Sequence, residues 1–263
     1  MKKFLIVTNA VKDPELKHTR ILEEYIEKLG LSFVRAIRNG EKEDDKLSSF
    51  TDVDCAIVLG GDGSILQAAR EIAGRNIPIL GVNMGTLGFL AEASPADMEK
   101  AIDRIVSGDY EVSHRMMLSA TVEDETGGKR LSPALNDITI SRSGKFQIIN
   151  FSIFVNGQLL CNLNADGIIV ATPTGSTGYN LSAGGPIVEP EAKLLLLTPI
   201  CAHTLNARSI VLNAEDVIEV VIGKVRDEDV FSVEANSDGN DKYPMKNGDR
   251  IRITKSEHTS AMI

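Results

Sequence analysis

The sequence predicts an α/β N-terminal domain with a parallel sheet, over residues 1–110, and an all-β, sandwich-like C-terminal domain, over residues 111–263. In the first part of the chain, buried strands alternate with helical patterns, which is typical of a parallel sheet with helices on its faces. After about residue 110, long helical periodicity gives way to short β-rich segments separated by turn signals. A chain of 263 residues is long enough for two such domains.

The N-terminal elements follow from apolar periodicity and from capping residues. Residues 4–8 predict a buried parallel strand, and Asp13 and Pro14 then open a helix that Gly30 ends. The charge-rich segment 41–46 is expected to be a solvated loop. The other predicted elements of this half are strands over 31–37, 54–59 and 77–82, a helix over 65–73, and a helix opened by Ser94 and Pro95 and ended by Gly108.

The C-terminal half is predicted to consist mainly of short strands. The pair Asn156-Gly157 between two β-rich segments is a strong signal for a two-residue hairpin turn. No internal repeat and no low-complexity linker is visible, so we expect the two domains to share a cleft. The predicted strands cover residues 117–123, 135–141, 151–155, 159–163, 168–172, 210–212, 217–222, 230–234 and 250–255.

Charge and cysteine usage narrow the class of protein. The formal net charge of −9 disfavours nonspecific nucleic-acid binding, so no nucleic-acid partner is expected. The three cysteines, Cys55, Cys161 and Cys201, lack paired metal-ligand spacing and fit a reducing compartment. No segment has the length of a signal h-region or of a membrane span. We therefore expect a cytoplasmic protein without a membrane partner.

The most informative N-terminal segment is the turn Gly60-Gly61-Asp62-Gly63, which joins a buried strand to a helix. Glycines let the backbone approach a ligand closely, and the free N–H groups at a helix start favour phosphate. A carboxylate in such a turn opposes phosphate unless it binds a metal or accepts a proton from a hydroxyl. These features favour phosphoryl transfer with Asp62 as the base. The alternative is a tight turn in which Asp62 only caps the helix.

A second glycine-punctuated segment, residues 83–90, follows the next predicted strand. Ligands of parallel sheets bind outside the carboxyl ends of the strands. We therefore expect both glycine-rich turns to face one crevice.

The C-terminal half contains a run of hydroxyl and glycine residues over 172–186, directly after a buried strand. Hydroxyls can serve phosphate, ribose or amide groups without carrying charge. The alternative is an ordinary hydrophilic loop, which explains the polarity but not its position. The pair Asn136-Asp137 near a strand start is a weaker signal. Neighbouring strand residues face opposite ways, so only one of the two is expected to reach a given ligand atom.

These motifs resemble those of the NAD kinases in order and spacing. The resemblance rests on Gly60-Gly61-Asp62-Gly63, on 85–90, on Asn136-Asp137 and on 172–179, and it covers essentially the whole chain. It implies transfer of a phosphoryl group from ATP to the 2′-hydroxyl of the adenosine ribose of NAD, with Asp62 as the catalytic base. It further implies a divalent metal, usually Mg²⁺. Because no carboxylate cage is visible, we expect Mg²⁺ to arrive with ATP rather than on protein ligands.

The resemblance also assigns the binding residues. Phe89 is the expected apolar contact near the adenine, Asn136 and Asp137 lie at the NAD ribose and adenine, and Asp166 lies at the nicotinamide end. Asp238-Gly239-Asn240 resembles a late segment near the ligand. The full expected set is Asp62, Gly63, Phe89, Asn136, Asp137, Asn164, Asp166, Thr174, Thr177, Gly178, Tyr179, Asn180, Leu181, Ser182 and Asn240.

The chain departs from the family pattern at two positions. Asp137 is one methylene shorter than the usual Glu, and Gly178 stands where Ala is usual, which is expected to loosen the loop. Two other readings remain open from the residues: a diacylglycerol-type lipid kinase, which shares the glycine–aspartate turn, and a non-catalytic NADP-binding sensor. The family resemblance further suggests a homodimer or homotetramer.

Overall fold

In the computed structural model, the residues described are 1–38, 47, 50, 52–85, 88–125, 127–144, 148–204, 207–223 and 233–263. The predicted loop 41–46 and the start of the predicted strand 230–234 lie outside them. The chain divides into two compact units, one formed by residues 1–114 and 259–263 and the other by residues 115–258.

The first unit is an α/β unit. Three of its four parallel strands are almost fully buried, as the continuous apolar segments predict, whereas the edge strand Ser32–Arg38 is only partly buried. Its elements are β1 (Lys3–Asn9), α1 (Lys17–Lys28), β2 (Ser32–Arg38), β3 (Cys55–Gly60), α2 (Asp62–Glu71), β4 (Ile79–Asn83) and α3 (Met98–Ser107). The four strands lie side by side in the order β2-β1-β3-β4, all parallel. The last strand of the chain, β16 (Arg250–Met262), ends beside β4, where Met262 pairs with Ile79 in parallel.

This strand order has a switch point between β1 and β3, because the chain moves from β1 to β2 on one side and from β3 to β4 on the other. The helices accordingly cover opposite faces. The apolar side chains of α1 and α3 share one core cluster with β1, β3 and β4. Ile65 of α2 instead contacts Gly81, on the other face of β4, where an added Cβ would lie 2.5 Å from the Ile65 Cδ1 atom. Ligands of open parallel sheets bind at the carboxyl ends beside such a switch point.

The start of α1 corrects the predicted capping by Asp13. The residues Pro14–Leu16 form a 3₁₀ turn with positive φ at Glu15 and Leu16, and the α-helix begins only at Lys17. The buried Asp13 carboxylate reaches over this turn and accepts hydrogen bonds from the backbone N–H groups of His18 and Thr19, at 3.0 and 2.9 Å. Asp13 therefore satisfies the first turn of α1 from outside the helix.

The second unit confirms the predicted sandwich-like β architecture. One sheet has the antiparallel order β12-β11-β10-β7-β14-β15, and in the other β16 and β8 flank β13, with β9 beside β8 and β5 pairing with β16 and β6. One apolar cluster between the sheets takes residues from both. The strands are β5 (Ser113–Glu123), β6 (Lys129–Arg130), β7 (Asp137–Arg142), β8 (Ile149–Val155), β9 (Gln158–Ala165), β10 (Gly167–Ala171), β11 (Leu194–Ile200), β12 (Ile210–Asn213), β13 (Ile218–Ile222), β14 (Val233–Ser237) and β15 (Asn240–Met245).

The predicted hairpin turn is confirmed. Asn156 and Gly157 join β8 to β9 with positive φ angles of 51° and 77°, as a two-residue turn requires. Strand β11 was not predicted, because its four consecutive leucines show no period of two. Leu195 and Leu197 belong to the core between the sheets and Leu196 packs on the opposite face, so the strand is buried on both sides. Among the described residues, no helix is long and apolar enough to cross a membrane.

Candidate active site

Asp62 is the first residue of α2, directly after the extended residue Gly61. Its carboxylate accepts hydrogen bonds from the backbone N–H groups of Phe89, at 2.9 Å, and of Leu90, at 3.3 Å. The N-cap position of α2 is Gly61, and neither of these two hydrogen bonds of Asp62 comes from an N–H group of α2. The capping alternative is therefore wrong, since Asp62 is held by the segment after β4 rather than by its own helix.

Gly88 makes this arrangement possible. A Cβ atom added at Gly88 would lie 2.1 Å from Asp62 Oδ1 and 2.4 Å from Asp62 Cγ, far inside any real contact distance. The segment after β4 can therefore wrap the carboxylate only with glycine at this position. A further bond, from the Met84 N–H group to the Gly60 carbonyl at 2.7 Å, joins the same two segments. The two glycine-rich turns thus meet at one edge of the sheet.

The loop after β1 reaches the same edge. An added Cβ at Gly61 would lie 2.4 Å from the Lys12 ammonium nitrogen, and one at Gly85 would lie 3.6 Å from it. The side-chain amide of Asn9 donates to the hydroxyl of Ser64 on α2 at 3.2 Å, which ties this loop to the glycine turn. Three loops, one from each of β1, β3 and β4, therefore converge around Gly61.

Two expected ligand contacts of the first unit lie open at this edge. Gly63 is exposed, with free space where a side chain would project. The Phe89 side chain is 70% exposed, although its backbone N–H group is bonded to Asp62. A large aromatic ring left in solvent beside a polar turn is available to stack on a planar ligand.

In the second unit, the Asn136-Asp137 segment is fixed by Asp238. The Asp238 carboxylate accepts hydrogen bonds from the backbone N–H groups of Leu135, Asn136 and Asp137, at 2.8 to 3.0 Å. Asp238 itself has a positive φ of 49° in the tight turn before β15. Asn240 follows it, exposed, with its amide donating to the Asp238 carbonyl at 3.2 Å.

Asp137 and Asn136 point in different directions, as neighbouring strand residues must. The Asp137 carboxyl is 5% exposed and accepts a hydrogen bond from the Thr139 hydroxyl at 3.0 Å. Burial, together with the charge of Asp238, raises the pKa of Asp137 to about 7. The carboxyl thus changes charge near neutral pH, where an exposed aspartate is fully ionised.

The hydroxyl-rich loop packs directly on Asn136. The Thr172 N–H group donates to the Asn136 carbonyl at 2.8 Å, and a Cβ at Gly175 would lie 2.1 Å from that oxygen. A Cβ at Gly178 would lie 3.1 Å from Asn136 Nδ2, so glycine there leaves room for the amide. Within the described part of the chain, the buried Asn136 Oδ1 and Thr174 Oγ1 atoms have no hydrogen-bond partner. Buried polar atoms are normally paired, so these two point to a ligand.

Asn180 holds the loop together rather than offering its side chain to a ligand. It is fully buried, and its amide donates to the carbonyls of Ser176 and Pro186, at 3.0 and 3.1 Å. Its oxygen accepts a hydrogen bond from the Thr198 hydroxyl at 2.6 Å. The expected binding role of Asn180 therefore does not fit its side chain.

Other residues of the loop are more accessible. Thr177 is half-buried with its hydroxyl 3.4 Å from the Thr174 carbonyl, whereas Tyr179, Leu181 and Ser182 are exposed. All three exposed residues belong to the short helix α4 (Tyr179–Ser182). These side chains can reach a ligand without breaking an internal bond.

The expected contacts at the nicotinamide end are already partnered. The Asp166 carboxylate forms an ion pair with Arg142 at 3.1 Å, and both side chains are about three-quarters buried. The exposed Asn164 accepts a hydrogen bond from the Asn150 amide across the β8–β9 pair at 2.9 Å. Arg142 thereby fixes the orientation of the Asp166 carboxylate.

The sequence patterns did not identify the roles of three residues at the candidate site. Lys12 and Arg142 are single cations without a motif, and the role of Gly88 depends on a contact with a residue 26 positions earlier, Asp62. The position of Lys12 in the loop after β1 was nevertheless a signal, since every carboxyl-end loop of a parallel sheet reaches the same edge. Among the described residues, no group of three or more His, Cys, Asp or Glu side chains is arranged to hold a metal ion.

Comparison with known proteins covers both halves of the chain. Residues 40–110 match the family model of the ATP-NAD kinase N-terminal domain, and residues 127–263 match that of the ATP-NAD kinase C-terminal domain. An NAD kinase of Lachnoclostridium phytofermentans is 44% identical over 269 aligned positions, covering 100% of this chain and 94% of the relative. An NAD kinase of Lachnospira eligens is 41% identical, covering 100% of this chain and 95% of the relative.

Solved structures agree with these matches. Yeast NADH kinase, solved in complex with NADH, superposes with a TM-score of 0.85 at 26% identity, covering 100% of this chain and 83% of the yeast chain. An NAD kinase from Archaeoglobus fulgidus, solved in complex with ATP, superposes with a TM-score of 0.80 at 28% identity, covering 99% of this chain and 92% of the archaeal one.

Proposed function

The chain belongs to the NAD kinase family, and from this premise we propose that it transfers the γ-phosphoryl group of ATP to the 2′-hydroxyl of the adenosine ribose of NAD, with Asp62 as the base. The observation that supports this assignment is the Asp62 carboxylate itself. It lies at the carboxyl end of a parallel sheet. Two backbone N–H groups from the segment after β4 hold it, and neither belongs to the helix that Asp62 begins.

In the reaction, the ribose hydroxyl oxygen forms a bond to the γ-phosphorus while the bond from that phosphorus to the β,γ-bridging oxygen breaks, which releases ADP. The hydroxyl proton passes to the Asp62 carboxylate. A ribose hydroxyl is a weak acid, so the base acts as the new oxygen–phosphorus bond forms. The N–H groups of Phe89 and Leu90 hold the carboxylate in one orientation for this step.

The polar atoms of the second unit supply candidate contacts for the dinucleotide. Asn136 Oδ1 and Thr174 Oγ1 are buried, unpartnered within the described residues, and suited to ribose hydroxyl or amide donors. We assign Asp137, Gly178 and the exposed residues of α4 to the same role, with Asn180 and Asp238 holding them in place. Phe89 is assigned to an apolar contact with the adenine.

We propose that the divalent metal is Mg²⁺ and that it would be held mainly by the phosphates of ATP. Mg²⁺ prefers oxygen ligands and is usually bound through one or two carboxylates together with substrate phosphates. Asp62 is the carboxylate at the glycine turn that could share it. When bound, the ion screens the repulsion between the triphosphate and the carboxylate.

The proposal is tested by incubating the purified protein with NAD, ATP and Mg²⁺ and locating the new phosphate on the product by ³¹P NMR. We expect NADP phosphorylated at the 2′ position. Parallel reactions with NADH, with polyphosphate and with diacylglycerol vesicles define the acceptor and the donor. Tight dinucleotide binding with no turnover, or phosphorylation of the lipid alone, would contradict the proposal.

We also propose that the protein works in the cytoplasm as a homodimer or homotetramer. This part rests on the family resemblance and on the free cysteines Cys55, Cys161 and Cys201. Sedimentation at micromolar concentrations tests the oligomeric state, and a monomer at all of these concentrations would contradict the proposed homodimer or homotetramer.

A further inference from the structure

Lys12 occupies an unusual place for an exposed lysine. Its ammonium nitrogen lies where a side chain on Gly61 would begin, 2.4 Å from the position of an added Cβ, and 3.6 Å from that of one on Gly85. Both glycines belong to the segments that surround Asp62. The charge is therefore placed over the glycine turn rather than extended into solvent.

No ion pair accounts for this position. Among the described residues, no carboxylate lies within 4.0 Å of the Lys12 ammonium group, whereas ten other cation–carboxylate pairs do form. A surface lysine ordinarily extends its charge into water or pairs it. A cation that rests unpaired against bare backbone is available to an anion.

The backbone that carries Lys12 is fixed on both sides. The N–H groups of Lys12 and Asp13 both donate to the Asn9 carbonyl at 3.0 Å. The Asn9 amide is in turn bonded to Ser64 on α2, and Asp13 is buried against the first turn of α1. The loop thus presents the lysine in a defined place, with little backbone entropy left to lose on binding.

The sheet topology also places Lys12 where a ligand is expected to bind. Lys12 follows β1 and Gly61 follows β3, and these two strands flank the switch point of the parallel sheet. Loops at the carboxyl ends beside a switch point diverge and leave a crevice for a ligand. The Lys12 ammonium group and the backbone of Gly61 therefore lie together at the edge of the sheet where a ligand is expected.

We propose that Lys12 binds the phosphate groups of the phosphoryl donor, as a donor-binding residue beside the base Asp62. This inference rests on the proposed function, since it names a residue for the same reaction. An ammonium ion is a compact charge with three donors and suits phosphate oxygens. In a protein of net charge −9, it offsets the repulsion that Asp62 and the wider surface exert on a triphosphate.

The test compares four proteins: wild type, Lys12→Met, Lys12→Arg and the control Lys17→Met. Lys17 is also exposed and lies at the start of α1, so its loss removes the same charge from the same unit. Initial rates of NADP formation are measured at varied ATP and at varied NAD. We expect Lys12→Met to lower kcat/KM for ATP by about 10- to 100-fold, as loss of a charged hydrogen bond does. The Kd of NAD should stay within twofold, Lys12→Arg should recover most of the loss, and Lys17→Met should resemble wild type.

A measurement of donor binding tests the role of Lys12 independently of whether the protein makes NADP. Calorimetry with ATP and with inorganic tripolyphosphate should show about tenfold or greater weakening in Lys12→Met, whether or not NADP is formed. If wild type binds the donor but makes no NADP, the proposed function fails while this comparison still decides on Lys12. Donor affinity and kcat/KM for ATP within twofold of wild type in Lys12→Met would overturn the inference. So would an equal loss of NAD affinity, which would show a general collapse of the loop.

Discussion

At the scale of single residues, Asp137 is a titratable group whose pKa is strongly altered by its surroundings. Its carboxyl is buried and faces the charge of Asp238, and both effects raise its pKa to about 7. The folded protein therefore keeps a proton between about pH 4 and pH 7 that the unfolded chain releases. Asp137 consequently stabilises the fold least at alkaline pH and most below pH 4.

We predict that Asp137→Asn weakens this pH dependence. The free energy of unfolding of the variant, relative to wild type, should rise from pH 4.5 to pH 8, because ionising the buried carboxyl costs the wild type up to about 4 kcal/mol. Urea unfolding at pH 4.5, 6 and 8 measures the difference. A difference that stays constant across this range would show that Asp137 titrates like an exposed carboxylate.

At the scale of elements, the glycine turn that carries Asp62, the proposed base, is held in place by a contact between two loops. Asp62, which follows β3, is held by the segment after β4, and Gly88 is the point of closest approach. The contact binds two segments that are distant in sequence, so neither loop alone defines the position of the carboxylate.

We predict that Gly88→Ala lowers kcat by about 100-fold, because a methyl group at this position must push the Asp62 carboxylate away by an ångström or more. The thermal midpoint should change little, since neither Gly88 nor Phe89 is buried in the core. Steady-state rates and calorimetry give these quantities. An unchanged kcat would mean that the orientation seen here is not the reactive one.

The elements that could be predicted from the sequence are those with a strong local signal. The β3–turn–α2 unit has an apolar strand, a glycine turn and a helical period in direct succession, and the hairpin turn at Asn156-Gly157 has its own signature. Strand β11 and the start of α1 could not be predicted in this way. Strand β11 is buried on both faces, so its sequence lacks the alternation of apolar and polar residues. At the start of α1, the buried Asp13 accepts hydrogen bonds from the first turn although it lies outside the helix.

The same limit applies to the candidate site: local motifs identify some of its residues, but contacts between distant parts of the chain define their roles. The sequence motifs point to Asp62, Asn136 and the hydroxyl-rich loop, but they do not separate ligand contacts from supports. Asn180 lies inside a motif and is fully used by internal hydrogen bonds, whereas Lys12 lies outside every motif and faces the turn. Such distinctions depend on contacts between distant parts of the chain, which local patterns do not encode.

At the scale of the whole molecule, the two units are not two consecutive halves of the sequence. The chain leaves the first unit after residue 114 and returns to it for residues 259–263, where Met262 pairs with β4. Local composition marks the change near residue 110 but carries no signal for this return. The family match nevertheless extends to residue 263, so the final strand belongs to the common fold.

We propose that Asp62 acts in the chemical step and is not needed for binding NAD. The most direct test measures both quantities in Asp62→Asn, which keeps the size of the side chain and one oxygen acceptor but cannot take the proton. Asp52→Asn serves as the control, because the Asp52 side chain is 95% exposed in the same unit and its loss also removes one negative charge.

We predict that Asp62→Asn lowers kcat for NADP formation by about 10²- to 10⁴-fold, the usual contribution of a positioned base. Its Kd for NAD, measured by calorimetry, should remain within about threefold of wild type, and Asp52→Asn should match wild type in both quantities. A kcat within a few-fold of wild type in Asp62→Asn would contradict the assignment of Asp62 as the base.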